Sequence, residues 1–187
     1  QAGGERDGER GDDPEEELAF SQEKIDADFA NFSAWHWRST VLKRALDARK
    51  VSPAERRAAL LSELELVRNA YFTEPDVQSA WVYHRWLLGG APAHDGGGAE
   101  GGATFGSGVV DKEVLEGELA SVEELLEMEP EAKWALKAKA HILKMLERHG
   151  EAAVVYSTLM VLDPLRRGFY EDMRVSATSR YESSSQG

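Results

Sequence analysis

Three times the chain places an acidic residue directly before proline at the end of an apolar helical stripe: Glu74-Pro75, Glu129-Pro130 and Asp163-Pro164. Proline pushes the residue before it out of the helical region, so each pair is a helix stop. Each time a second stretch of helical spacing follows, with an aromatic at Trp81, Trp134 or Phe169-Tyr170. Pro130 and Pro164 are 34 residues apart. Pro75 and Pro130 are 55 apart, or about 35 once a glycine-rich tract of about 20 is set aside, which is the range of helix-pair repeats. A helix pair of that size cannot bury its apolar face alone and must stack on its neighbours. The spacing predicts an all-α chain, an α-α superhelix of stacked helical hairpins, and no stretch shows the alternation and turn chemistry of a β-hairpin.

Local signals agree with this layout. After Trp35, the residues Ser39, Leu42 and Leu46 fall on one helical face. Ser52-Pro53-Ala54-Glu55 supplies a cap, a first-turn proline and a capping-box glutamate for a helix striped by Leu60, Leu64, Val67 and Tyr71. The Trp81 helix is expected to end at Leu88-Gly89. Asp111 is expected to cap a helix striped by Leu115, Leu119, Val122 and Leu126. The next helix places Trp134, Ala138 and Met145 on one face and is expected to close on a glycine cap at His149-Gly150. The last helix is expected to run toward Arg174. Residues 89–108 contain nine glycines and almost nothing that could pack, and read as a flexible insertion.

The chemistry the sequence excludes is as informative as its layout. The net charge is −12, but residues 1–28 alone hold eleven acidic and three basic side chains, so the acidity belongs mostly to a solvated tail. No concentrated basic surface exists, and a nucleic-acid partner is not expected. No apolar run approaches the roughly 18 residues of a membrane span. The absence of cysteine rules out disulfides, a Cys-ligated zinc site and a thiol nucleophile, and fits a reducing, cytoplasmic setting. Histidines 36, 84, 94, 141 and 149 lack the paired spacing of a zinc protease. The glycine tract has no phosphate-loop pattern, and Glu123-Glu124 reads as solvated surface. No catalytic residue, metal site or bound cofactor is expected in this chain. Lys133, Lys137, Lys144 and Arg148 form a basic stripe, read as a solvated face opposite Trp134 and Met145, with a docking strip for an acidic partner as the alternative.

The tryptophans repeat with their neighbours. NFSAWHWR, residues 31–38, is echoed by QSAWVYHRW, residues 78–86. Trp35, Trp81 and Trp134 read as rings packed between hairpins. Asn31, Arg38, His84 and Arg85 beside them are not explained by packing alone. An arginine one turn from a tryptophan can stack on the ring, bond a carbonyl of the adjacent hairpin, or pair with a partner's carboxylate.

NFSAWHWR resembles the Asn-aromatic-x-x-Trp-x-x-Arg repeat of protein prenyltransferase α subunits. Residues 60–89, LLSELELVRNAYFTEPDVQSAWVYHRWLLG, are similar to the α subunits of the type II, Rab-modifying geranylgeranyltransferases, and ELLEMEPEAKWAL and LDPLRRGFYEDMR continue the likeness in order. It covers residues 18–88 and 112–175. Departures occur: His84 stands where the second motif expects arginine, with Arg85 one place late, and Lys137 follows Trp134. The glycine tract falls where animal members insert an immunoglobulin-like domain, which nothing here could build. The family's Lys-Asn-Tyr-type units, which approach the lipid diphosphate, have no counterpart, and the opening residues read as the interior of a longer product.

The resemblance therefore implies a C-terminal portion of such an α subunit, inactive alone. Its enzyme would transfer geranylgeranyl from its diphosphate to C-terminal cysteines of Rab GTPases presented by a Rab escort protein. It would act as a scaffold for the β subunit, which holds the zinc and the lipid pocket. It assigns Asn31, Trp35, Arg38, Trp81, His84 and Arg85 to hairpin packing and the β interface. The implied organisation is a disordered acidic segment at 1–17, prenyltransferase repeats at 18–88 and the Gly-rich insertion at 89–111. Further hairpins follow at 112–178 and a disordered tail at 179–187. The period alone would also fit a tetratricopeptide-like binding module without enzymatic role, against which the bulky SAWVYHRW helix argues.

Overall fold

The computed structural model describes residues 13–89, 105 and 108–184. Among them the chain forms eight α-helices and no strand. These are α1 Pro14–Ala27, α2 Phe32–Arg49, α3 Pro53–Thr73, α4 Gln78–Leu87, α5 Lys112–Met128, α6 Lys133–Met145, α7 His149–Leu162 and α8 Arg167–Ser184, the last entered through a 3-10 turn at Pro164–Arg166. Each odd helix packs on the even one that follows it, and α2, α4 and α6 pack in succession, with α7 also against α6. The result is the expected all-α superhelix of hairpins.

One turn geometry recurs at every hairpin loop. The N–H of Val77 donates to the Glu74 carbonyl at 3.2 Å, Ala132 to Glu129 at 3.1 Å, and Arg166 to Asp163 at 3.1 Å. Each acidic residue sits at a φ between −126° and −137°, where a following proline confines it. The first hairpin has no proline, yet Asn31 donates to Asp28 in the same way at 3.1 Å. There the Asp28 carboxylate accepts the Ala30 N–H at 2.9 Å, a side-chain turn that replaces the proline constraint. Asp28, Glu74, Glu129 and Asp163 are thus equivalent.

Counting from that residue aligns the hairpins. The seventh position onward holds Trp35, Trp81, Leu136 and Tyr170, all buried. Trp134 is therefore not the counterpart of Trp35 and Trp81. It lies two residues too early, is only half-buried, and leaves the core position to Leu136.

The helix ends follow their cap chemistry, with three corrections to the sequence reading. Ser52 and Glu55 form the reciprocal capping box of α3, and Asn31 and Asp111 accept the N–H groups of Ala34 and Val114. α6, however, does not close at His149-Gly150. Glu147 takes the left-handed conformation at φ 60°, Arg148 N–H reaches the Leu143 carbonyl at 2.9 Å, and Glu147 N–H reaches Lys144 at 3.1 Å. Those two bonds close the helix without glycine, and His149-Gly150 opens α7. Second, residues 14–17, assigned above to a disordered segment, are the first turn of α1. Asp13 caps it and its three glutamates complement the helix dipole. Third, α8 continues past Arg174 to Ser184, into the segment assigned as tail.

Most of the glycine tract lies outside the described residues, but one side chain within it packs. Phe105 is 2% exposed, its ring 5.4 Å from that of Trp86, with the Arg56 guanidinium over it at 5.8 Å. Phe105 thus packs on Trp86 of α4, contrary to the expectation of almost nothing able to pack in this tract. Phe105→Ala should cost about 3–5 kcal/mol of stability, as for other buried aromatics. Denaturant unfolding checks this, and an unchanged midpoint would mean that the anchor is not closed in solution.

Candidate functional site

The residues singled out by the tryptophan motifs fall mainly on the junctions between hairpins. Trp35 is buried and donates its Nε1–H to the Phe29 carbonyl at 2.9 Å. Trp81 does the same to the Pro75 carbonyl at 2.8 Å. Each ring is thereby tied to the loop before its own helix. Trp35 meets Tyr83 of the next hairpin at 4.9 Å between centroids, and Trp81 stacks on Tyr71 at 4.5 Å. Ser79 donates to the same Phe29 carbonyl at 2.7 Å, joining α4 to the preceding loop. The Asn31 side chain caps α2.

Three residues after each tryptophan, a basic side chain meets a buried glutamate of the following hairpin. Arg38 grips Glu63 with both ends of its fork, Nε at 2.6 Å and Nη2 at 2.8 Å, and Nη1 donates to the Leu18 carbonyl at 3.0 Å and Ser21 Oγ at 3.2 Å. Tyr83 OH adds a donor to Glu63 at 2.7 Å. Burial opposes the charge on Arg38, but Glu63 outweighs it and raises the guanidinium pKa. At the next junction His84 Nε2 lies 2.9 Å from Glu118 Oε2, so the ring carries its proton there, and Arg68 takes the other carboxylate oxygen. Burial alone would raise the Glu118 pKa. The His84 hydrogen bond and the charges of His84 and Arg68 hold it below the ordinary value of 4.5. A carboxylate so depressed binds its proton more readily unfolded than folded. This junction's stabilisation is thus complete above pH 4.5 and is lost as the pH falls through the folded value.

Sequence reasoning missed both glutamates, although a signal existed. Glu63 and Glu118 each stand eleven residues before the acidic loop residue of their hairpin. In the same register the third junction should pair Lys139 with residue 152, but that position is Ala152. Lys139 instead bridges to Glu123 of its own hairpin at 2.8 Å, so Glu123 is not simply solvated.

Where this ladder lapses, a groove opens. The position held by Tyr83 at one junction is Ala138 at the next, and the space beside Trp81 becomes part of a cavity of about 160 Å³. Arg85, Lys137, His141, Lys144 and Arg166 line it together with Trp134, Tyr156 and Tyr170, and among the described residues no acidic side chain does. Trp81, His84 and Arg85 are the motif residues that line the groove. Lys137 stands over the Trp134 ring at 4.2 Å. Lys137 and Lys144 therefore share the face of Trp134, contrary to the basic stripe placed opposite it; Lys133 and Arg148 are exposed. Burial lowers the Arg85 pKa, and burial with neighbouring Arg180 and Arg85 lowers that of Lys144. Tyr156 is pushed up by burial to about 12. The surroundings suit an anionic or carbonyl-rich group between aromatic walls. No set of three or more potential metal ligands occurs among the described residues. His94 lies outside them.

The family described as "Protein prenyltransferase alpha subunit repeat" matches residues 14–45 and 60–90, which are the α1–α2 and α3–α4 hairpins. The chain belongs to the protein prenyltransferase alpha-subunit family. A Rattus norvegicus "Geranylgeranyl transferase type-2 subunit alpha" is 51% identical over 84 residues, 44% of this chain and 15% of that protein. Proteins of the same name are 30% identical over 171 residues in Schizosaccharomyces pombe (84% of this chain, 49% of that protein) and 34% over 120 in Dictyostelium discoideum (61% and 33%). The chain thus spans about half the length of its fission-yeast relative and less of the others.

His141 gives the groove a titration signature. Its Nε2 is buried and has no hydrogen-bond partner among the described residues, and burial first, then Arg85, His84 and Lys144, push its pKa down to about 3. NMR should find this imidazole uncharged at pH 5; a midpoint above 6 would mean that an acid reaches the groove.

Proposed function

We propose that the chain is a scaffold segment of the α subunit of a type-2 geranylgeranyl transferase. The enzyme moves geranylgeranyl from its diphosphate to C-terminal cysteines of Rab GTPases in the cytoplasm, with a Rab escort protein presenting the substrate. The observation that carries this reading is the match to a relative of that name along 84% of the chain, together with the prenyltransferase repeats. No described helix is long and apolar enough to cross a membrane. The segment's part is mechanical. Its stacked hairpins hold a fixed curve against which the β subunit folds its own site, and the zinc and lipid pocket belong to β.

Within that reading the groove between α4, α6 and α8 receives an acidic segment of the β subunit. Its cations crowd one another, and a carboxylate entering it relieves that repulsion while losing water to aromatic walls. Trp35 and Arg38 behind it, and Trp81 and His84 at its wall, hold the hairpins in register.

Co-expression of this chain with a type-2 β subunit tests the proposal through affinity recovery of the complex. The unaltered chain should retain β. Arg85→Ala combined with Lys144→Ala should lower the recovered β by about tenfold or more, the scale of an interface hot spot. Ala138→Tyr, which fills the groove as Tyr83 fills the previous junction, should do the same, both variants keeping their helical circular dichroism. Full recovery with both folded variants would remove the groove from the interface, and no recovery with the unaltered chain would remove this segment from it.

A further inference from the structure

Lys144 stands apart from the chain's paired lysines. Lys43 bridges to Asp47 at 3.1 Å, Lys112 to Glu116 at 3.5 Å and Lys139 to Glu123 at 2.8 Å. Each of those carboxylates favours the charged ammonium. Lys144 is half-buried in the wall of the groove, and the charges that act on it are those of Arg180 and Arg85. Burial first, then these like charges, hold its amine below the usual lysine range. A lysine in apolar surroundings beside other cations gives up its proton readily and becomes a nucleophile.

The groove around this amine has the size and the walls for one aromatic ring. Its volume is about 160 Å³, and an apolar cavity of about 150 Å³ takes up benzene. Trp134 is half-buried and Phe169 is 52% exposed, and both line the groove, so each offers ring surface to a guest. Arg85, Lys137 and Arg166 stand on the same walls. Their charge attracts an anion without any of them releasing its present contacts.

We infer that the groove is a covalent site for an anionic aromatic aldehyde, whose ring lies between Trp134 and Phe169 and whose carbonyl carbon bonds to Lys144 Nζ. The lone pair of the neutral amine attacks that carbon, and the carbonyl π pair moves to oxygen. The nitrogen then loses its protons, the oxygen leaves as water, and a C=N bond replaces the C=O bond. No oxidant or reductant takes part, and water reverses the step. Lys137 is less suited, because its Nζ lies 4.2 Å from the centre of the Trp134 ring, a contact that favours the charged form. The inference rests on the groove alone and stands whether or not a β subunit meets it.

Pyridoxal 5′-phosphate is the probe. It is added in equimolar amount to the intact chain near neutral pH, and borohydride then fixes the imine by delivering hydride to its carbon. Peptide mass spectrometry should find about fivefold or more label on Lys144 than on the exposed Lys133. Ala138→Tyr, which fills the groove, should remove most of that preference while leaving Lys133 labelling and helical circular dichroism unchanged. Pyridoxal without its phosphate should show a smaller preference. Equal labelling of Lys144 and Lys133 in the folded chain would overturn the site. A preference that persists in denaturant, or in folded Ala138→Tyr, would overturn it too, by placing the cause outside the groove. Equal selectivity for the phosphate-free aldehyde would overturn the recognition of an anion.

Discussion

The structure depends on a buried hydrogen-bonded pair of a basic and an acidic side chain reaching from one hairpin to the next. Arg38 to Glu63 and His84 to Glu118 join a basic residue one turn beyond a core ring to an acid in the first helix of the following hairpin. Apolar stripes make helices stick but tolerate sliding by a turn. A buried carboxylate tolerates no such slip, because losing its partner leaves an ion without solvent, at a cost of about 3–5 kcal/mol. The pairs need not add net stability over well-packed apolar residues to act in this way. They fix the rotation between successive hairpins, and so the curve of the stack.

The groove is the consequence of ending that ladder. At the third junction the acid becomes Ala152 and the tyrosine becomes Ala138. The first change removes the pair and the second removes bulk beside Trp81. What remains is a cavity walled by Trp81, Trp134, Tyr156 and Tyr170 with Arg85, Lys137 and Lys144 among them. Repeat divergence here changes what the surface offers: the earlier junctions are closed by their own pairs, whereas this one lines a groove with basic side chains and aromatic rings.

The hairpin layout was legible because it rests on local chemistry. The acidic-Pro stops, the Ser52 capping box and the stripe of Leu60, Leu64, Val67 and Tyr71 need only their neighbours in sequence to be read. The glycine cap at His149-Gly150 was misread because backbone bonds stabilised Glu147 in a conformation that glycine usually supplies. Trp134 stands out of register because the loop residue, not the tryptophan, sets the count and selects Leu136. Glu63 and Glu118 were invisible for a different reason. An isolated glutamate in an amphipathic helix reads as surface, and only its partner 25 or 34 residues away marks it as buried.

The central claim is that the Arg38–Glu63 pair couples two hairpins. A double-mutant cycle with Arg38→Met, Glu63→Gln and their combination, read by equilibrium unfolding in denaturant, measures that coupling directly. The account predicts two strongly destabilised single variants, a double variant less damaged than their sum, and an interaction energy of at least about 1 kcal/mol. Additivity within about 0.5 kcal/mol would contradict it, because the two groups would then stabilise their own hairpins without holding one to the other.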